Sequence, residues 1–192
     1  MNLSEQHVFD ALYARRSIRL YRDQPVEQAK LVRLLQAAMA APSACNIQPW
    51  EFVVVSEPEG MARLREVIPE NGHYNAPAAI VVCGCPELIP WDDDDGGADC
   101  CAAIENMLIA AVAMGLGSVW IGGFDRGAIR ALLDIPAQVV PIGIVYLGYP
   151  AEAKEPRTQY LPTAVHWQHY DTARPRDRRP GSLLAGKGAR GE

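Results

Sequence analysis

The run Asp99–Phe124, DCCAAIENMLIAAVAMGLGSVWIGGF, limits the fold of this chain more than any other stretch. Its last 18 residues, Met107 to Phe124, carry no charge, and that is the length at which a membrane span enters consideration. Gly115, Gly117 and Ser118 interrupt the run, Glu105 and Asp125 flank it, and no Lys/Arg bias marks one end. Those features disfavour a span. The spacing predicts instead a helix from about Asp99 to Met114, broken by the glycines, then a short buried strand at Ser118–Ile121. A helix apolar on nearly every side belongs in the middle of a structure, so the rest of the chain must supply layers around it.

Ser4 is placed to cap a first helix reaching Arg15, with Val8, Phe9, Leu12 and Tyr13 at helical spacing. Ser17–Arg22 alternates instead, which puts Ser17, Arg19 and Tyr21 on one face and sends Ile18 and Leu20 into the core. Pro25 opens a second helix with an apolar stripe of Leu31, Leu34, Leu35 and Ala38, ended by Pro42. Glu51–Val55, Ala78–Cys83 and Pro141–Leu147 read as strands, and Glu59–Ile68 and Arg126–Leu133 as helices. Helices and strands interleave throughout, so the chain is expected to form an α/β or α+β layered fold.

Composition fits one such domain over residues 1–171. Of 192 residues, 49% are hydrophobic and 21% charged, which excludes a disordered or fibrous chain. The formal net charge of −5 argues against a nucleic-acid groove, which needs clustered cations. From about residue 149 the chain carries Pro150, Pro156 and Pro162 and the aromatics Tyr160, Trp167 and Tyr170; this segment is expected to lie as an arm across a neighbouring subunit, with a coil on the surface of its own subunit as the alternative. Residues 172–192 are expected to be a basic, disordered tail: residues 174–192 alone carry a net +4, leaving −9 for the rest. The start of the chain has no basic segment followed by an apolar one, so no secretory signal is expected. The five cysteines lack zinc or thioredoxin spacing. Cys83, Cys85, Cys100 and Cys101 are expected to be reduced, buried thiols in a cytoplasmic protein, with no metal site.

Three clusters carry candidate chemistry. Arg15, Arg16, Ser17 and Arg19 can converge several guanidinium forks and a hydroxyl, the donor set that suits a phosphate monoester; a basic surface turn paired with Asp10 and Asp23 is the alternative. In the segment 41–50, Pro42 and Pro49 are expected to hold the backbone extended, placing Asn46 and Gln48 on one side. Their amides offer both donor and acceptor, as an N–H between two carbonyls requires; a structural loop with self-satisfied amides is the alternative. Gly122 and Gly123 would let main-chain N–H groups approach a flat ring; a helix C-cap at Gly115 and a tight strand end at Gly122 are the alternative. The run 115–123 follows a helix and enters a strand, the reverse of a dinucleotide-binding loop.

In order, RRSIRLY, APSACNIQPWEFVVV, NAPAAIVVC, the long helix with GLGSVWIGG, and VPIGIVYLGYP resemble the FMN-dependent nitroreductase family over about residues 7–171. The resemblance implies an α+β nitroreductase-like fold: a central mixed, mainly antiparallel sheet flanked by helices, in an intertwined homodimer with FMN at the subunit interface. It implies that Arg15, Arg16, Ser17 and Arg19 hold the FMN phosphate and ribityl chain. Pro42, Ser43, Ala44, Asn46 and Gln48 would reach the flavin from the partner subunit, Trp120, Ile121, Gly122 and Gly123 would line its ring, and Arg157 would lie near the phosphate. Ala44 stands where many relatives have Ser, Gly122 where some carry Glu, and no cation precedes Asn75-Ala76-Pro77.

The implied function is an NAD(P)H-dependent FMN oxidoreductase. Tightly bound, non-covalent FMN would pass two electrons from NADH or NADPH to a nitroaromatic, quinone or enone by a ping-pong route, with no catalytic acid or base. The alternative is a flavin carrier or redox sensor without efficient turnover. Of the candidate histidines His73, His166 and His169, the last two, on the C-terminal arm, are expected to be structural or exposed, and Asp92–Asp95 to disfavour NADPH if that loop overhangs the cleft. Neither a nucleic-acid nor a membrane partner is expected.

Overall fold

The computed structural model describes residues 5–68, 74–91, 95–157 and 160–174. Residues 5–157 belong to one compact unit and 160–174 to a second, small one. Ser4, His73, Asp92, Asp93, Asp94 and the basic tail beyond Arg174 lie outside the described residues.

The larger unit is built on four strands, β1 (Trp50–Val55), β2 (Ala78–Gly84), β3 (Gly117–Ile121) and β4 (Val140–Gly148), in the order β1-β2-β4-β3. All three pairings are antiparallel. The parallel element among the described residues is one isolated bridge, Ser17 to Ser118, at the outer edge of β3. The two central strands have helices on both sides, so β2 is buried at every position and reads as an unbroken apolar run rather than an alternation.

Five helices cover the sheet: α1 (Glu5–Ala14), α2 (Gln28–Met39), α3 (Pro58–Glu66), α4 (Gly97–Ala113) and α5 (Arg126–Leu133). Met61 and Leu64 of α3 and Ile129 of α5 pack with Val81, Ile121 and Tyr146 on one face. Leu31 and Leu34 of α2 and Ile104, Met107 and Leu108 of α4 pack with Ile80, Val82 and Val145 on the other. The result is an α+β sandwich of three layers. Asp125 caps α5 by accepting from Gly127 N at 2.7 Å and Ala128 N at 3.1 Å.

Three expectations need correction. The apolar helix α4 is enclosed by its own chain on one face only: Cys100, Ala103, Ile104, Met107, Leu108 and Ala111 are buried, while Cys101, Ile109 and Val112 stay half-exposed. Helix α1 buries no residue at all. The alternation of residues 17–21 also fails: Ile18 is buried, but Leu20 is 52% exposed and Tyr21 only 2%. Tyr21 turns inward because its hydroxyl donates to Ile18 O at 2.5 Å and its N–H to Asn75 Oδ1 at 2.9 Å. The third correction concerns residues 42–49, described with the site. No helix among the described residues is long and apolar enough to cross a membrane.

The small unit is a knot in its own right. Arg174 donates to Thr163 O and Val165 O at 3.3 and 2.7 Å, and His166 Nδ1 accepts from Asp171 N at 3.0 Å while its ring stacks on Tyr170. His166 thus holds a structural place.

Candidate active site

The site grows from the contact between residues 15–21 and the outer edge of β3. Ile18 N donates to Ser118 O at 2.9 Å, laying this segment beside the strand. The approach is possible because residue 117 is glycine: a Cβ there would sit 2.8 Å from Ile18 Cγ2, closer than packing allows. Glu152, in the segment leaving β4, holds the other end of the segment. Its Oε1 accepts from Arg19 N at 2.6 Å and Leu20 N at 3.3 Å, bonds that a strand partner would otherwise make. Those N–H groups, with Lys154 at 3.0 Å, pull the Glu152 carboxyl below its ordinary range.

Between this segment, β3 and α4 opens a cavity of about 480 Å³ lined by Arg15, Ser17, Glu105, Leu108, Ser118, Val119, Trp120 and Gly122. Its lining offers a guanidinium and hydroxyls together with an indole and open backbone. Trp120 is 37% exposed, and its ring lies over Gly143, where a Cβ would come within 2.6 Å of Trp120 Nε1. A Cβ at Gly122 or Gly123 would meet nothing within 4 Å. No neighbouring side chain fills that space, and the main chain there is accessible to a flat ring. These features fit FMN: the guanidinium and hydroxyls suit a phosphate monoester, and the indole and open backbone suit a ring.

The structure brings Arg15, Ser17, Trp120 and Gly122 to one cavity. Arg16, Arg19 and Arg157 are not among the residues that line it. Arg16 donates to Glu155 O, Arg19 Nε to Tyr74 Oη at 3.1 Å, and Arg157 N to Tyr13 O at 2.9 Å. The basic cluster therefore does not pair with Asp10 and Asp23; Arg15 pairs with Glu105 at 3.4 Å. Ile121 offers only its backbone, since its side chain is buried in the core on the α3 and α5 face.

Pro42, Ser43, Ala44, Asn46 and Gln48 do not line the cavity. The backbone here is a tight turn rather than extended: Ala44–Asn46 form a single 3₁₀ turn, with φ of 49° at Cys45, 56° at Asn46 and 55° at Gln48. Side chains stabilise these uncommon left-handed positions. Ser43 Oγ accepts from Gln48 N at 2.9 Å, and Asp99 at the start of α4 accepts from Ala44 N at 3.2 Å. Asn46 and Gln48 still share a side, with Gln48 Nε2 donating to Asn46 Oδ1 at 3.3 Å. Ala44, Asn46 and Gln48 are exposed and free to meet another molecule.

Sequence reasoning missed Glu105, Ser118 and Lys154. Lys154 Nζ donates to Ser17 O at 2.5 Å and so supports the phosphate-side segment. Its signal was present, three residues before Arg157 in the same stretch after the last strand. The cysteines take no part in the cavity. Burial pushes the Cys83 and Cys100 thiols up to about 12, and Cys100 Sγ donates to Cys83 O at 3.5 Å. Asp95, the described member of the acidic run, is held by Arg126 at 3.4 Å and accepts from Gly97 N at 3.0 Å.

The model of the Nitroreductase family matches residues 12–149. A protein of Archaeoglobus fulgidus provisionally named NADH dehydrogenase/NAD(P)H nitroreductase is 42% identical over 163 residues, covering 81% of this chain and 94% of that protein. An FMN-dependent nitroreductase structure from Clostridium difficile superposes with a TM-score of 0.75 at 31% identity, over 84% of this chain and 99% of that one. The NADPH:FMN oxidoreductase of Vibrio harveyi, complexed with NAD+, gives 0.75 at 26% identity over 86% and 78%. A match across most of the larger unit, and a relative this similar over nearly its whole length, make the chain a member of the nitroreductase family.

Proposed function

We propose that this protein is an NAD(P)H-dependent flavin oxidoreductase that binds FMN in the cavity beside β3. The single observation that carries the reading is the presence, in the lining of one cavity, of a guanidinium and hydroxyls together with an indole and an open glycine. When bound, FMN supplies the two-electron carrier between a reduced nicotinamide and a small organic acceptor such as a nitroaromatic, quinone or enone. The names of the relatives support both donor and cofactor.

The chain's own residues bind and orient. Arg15 and Ser17, with Arg16, Arg19 and Arg157, hold the phosphate and polyol by charge-assisted bonds. Trp120 and the main chain of Ile121, Gly122 and Gly123 bound the ring, where N–H dipoles favour negative charge as it develops. Gly122 carries no side chain over the ring position, so donor and acceptor have access in turn. No acid or base is assigned to the cavity, because the redox step belongs to the cofactor.

The reading includes a homodimer. Val8, Phe9, Leu12 and Tyr13 on α1 are each about two fifths exposed, and the second face of α4 is half-open; apolar helix faces of this kind are covered by a partner. The exposed turn of Pro42, Ser43, Ala44, Asn46 and Gln48 would then supply its amides to the partner's flavin.

Steady-state rates test the mechanism. With NADH varied at several fixed acceptor concentrations, the double-reciprocal lines are expected to be parallel and the activity to require FMN. Intersecting lines would refute alternating use of one cleft, and FMN-independent activity would refute the cofactor.

A further inference from the structure

Glu105 is the wall residue that an FMN phosphate does not call for. An ionised carboxylate is an acceptor only and can make no bond to phosphate oxygens. Yet Glu105 lines the cavity, and its Oε1 lies 3.4 Å from Arg15 Nε, with the two side chains 45% and 34% exposed. Arg15 is also the one guanidinium among the lining residues. Arg16, Arg19 and Lys154 are outside the lining and bond the framework, Arg16 to Glu155 O, Arg19 to Tyr74 and Ser17 O, and Lys154 to Ser17 O and Glu152, so that each would have to share or exchange these bonds to reach a phosphate. The cation best placed for the phosphate thus carries an internal counter-ion from α4.

A half-exposed ion pair adds little to stability, so a helix-fastening role accounts poorly for a carboxylate at this spot. Its effect falls on Arg15. In the free site Glu105 occupies the Nε edge of the guanidinium, and an arriving phosphate must take Arg15 against that competitor and beside a like charge. We infer that Glu105 sets the affinity for the flavin phosphate: it competes for Arg15 and keeps the flavin exchangeable rather than locked in place. This inference rests on the phosphate reading above.

The experiment measures dissociation constants of the whole protein for FMN and for riboflavin, which lacks the phosphate, by flavin fluorescence. Wild type, Glu105→Gln, Arg15→Gln and the double variant are compared. Glu105→Gln is expected to bind FMN about fivefold tighter, equivalent to about 1 kcal/mol at 1.4 kcal/mol per decade, with riboflavin affinity unchanged. The gain is expected to vanish in the Arg15→Gln background, as competition for that side chain requires. Unchanged or weaker FMN binding in Glu105→Gln, an equal gain with riboflavin, or a gain that survives without Arg15 overturns the inference. Equal wild-type affinity for FMN and riboflavin refutes the phosphate reading itself, so the two failures are distinguishable. Thermal unfolding of each variant identifies loss of fold, and Glu105→Ala repeats the test if Gln is not tolerated.

Discussion

A methyl group at position 117 is a direct probe of how the phosphate-side segment docks. Gly117→Ala would put a Cβ 2.8, 2.9 and 3.0 Å from Cγ2, Cβ and Cγ1 of Ile18. Restoring an ordinary contact of 3.4 Å moves Ile18 outward by about 0.6 Å. Ile18 is 8% exposed and bonded at both ends, its N–H to Ser118 O at 2.9 Å and its carbonyl from Tyr21 Oη at 2.5 Å. The shift therefore strains the segment that carries Ser17 and Arg19. Overpacking of this kind costs about 1–3 kcal/mol, offset by about 0.5–1 kcal/mol from the stiffer unfolded chain. A net loss of about 1–2 kcal/mol is expected in urea unfolding at fixed protein concentration, with weaker FMN binding. Ile18→Ala alone costs about 2–5 kcal/mol but removes Cγ2 and Cγ1, two of the three clashing atoms, and leaves Cβ at 2.9 Å. The double variant should thus be more stable than the sum of the singles by about 0.5–2 kcal/mol, part of the overpacking cost. Strict additivity, or a Gly117→Ala protein with full stability and FMN affinity, would refute the docking argument.

Three further outcomes follow from the same geometry. Arg19→Ala is expected to weaken FMN binding roughly 10- to 100-fold, from a charge-assisted bond of about 1.5–3 kcal/mol, and wild-type retention on gel filtration would contradict the assignment. Glu152 has a depressed folded-state pKa, so its contribution is present above the unfolded carboxyl pKa and is lost as pH falls through the folded one. Glu152→Gln should accordingly be less stable by about 1 kcal/mol at neutral pH, and the gap to wild type should close in acid; a gap independent of pH contradicts the clamp. Thiol titration of the folded protein should label exposed Cys45 first, well ahead of buried Cys83 and Cys100, whose thiols sit near 12.

The elements set by local pattern were legible. AAIVVC read as a strand and is one, and the long apolar helix ended where Gly115, at φ 72°, permits a left-handed cap. Details decided by distant partners were not. Leu20 and Tyr21 exchange their expected sides because Asn75 and Glu152, far along the chain, take up the backbone of residues 19–21. The turn at Cys45, Asn46 and Gln48 escaped because prolines at 42 and 49 fix only their own φ and that of their neighbours. In the candidate site, the arginine and glycine motifs stood out by composition. Glu105 did not, for an acid in the middle of an apolar helix shows its role only once Arg15 lies against it.

Anaerobic addition of NADH to the purified, FMN-loaded protein, followed by a nitroaromatic or quinone acceptor, tests the account most directly. The account predicts that the flavin absorbance bleaches with NADH and returns in full on adding the acceptor, in protein freed of excess donor. Flavin colour that NADH does not bleach would contradict it and favour a carrier, and protein that takes up no FMN would remove its foundation.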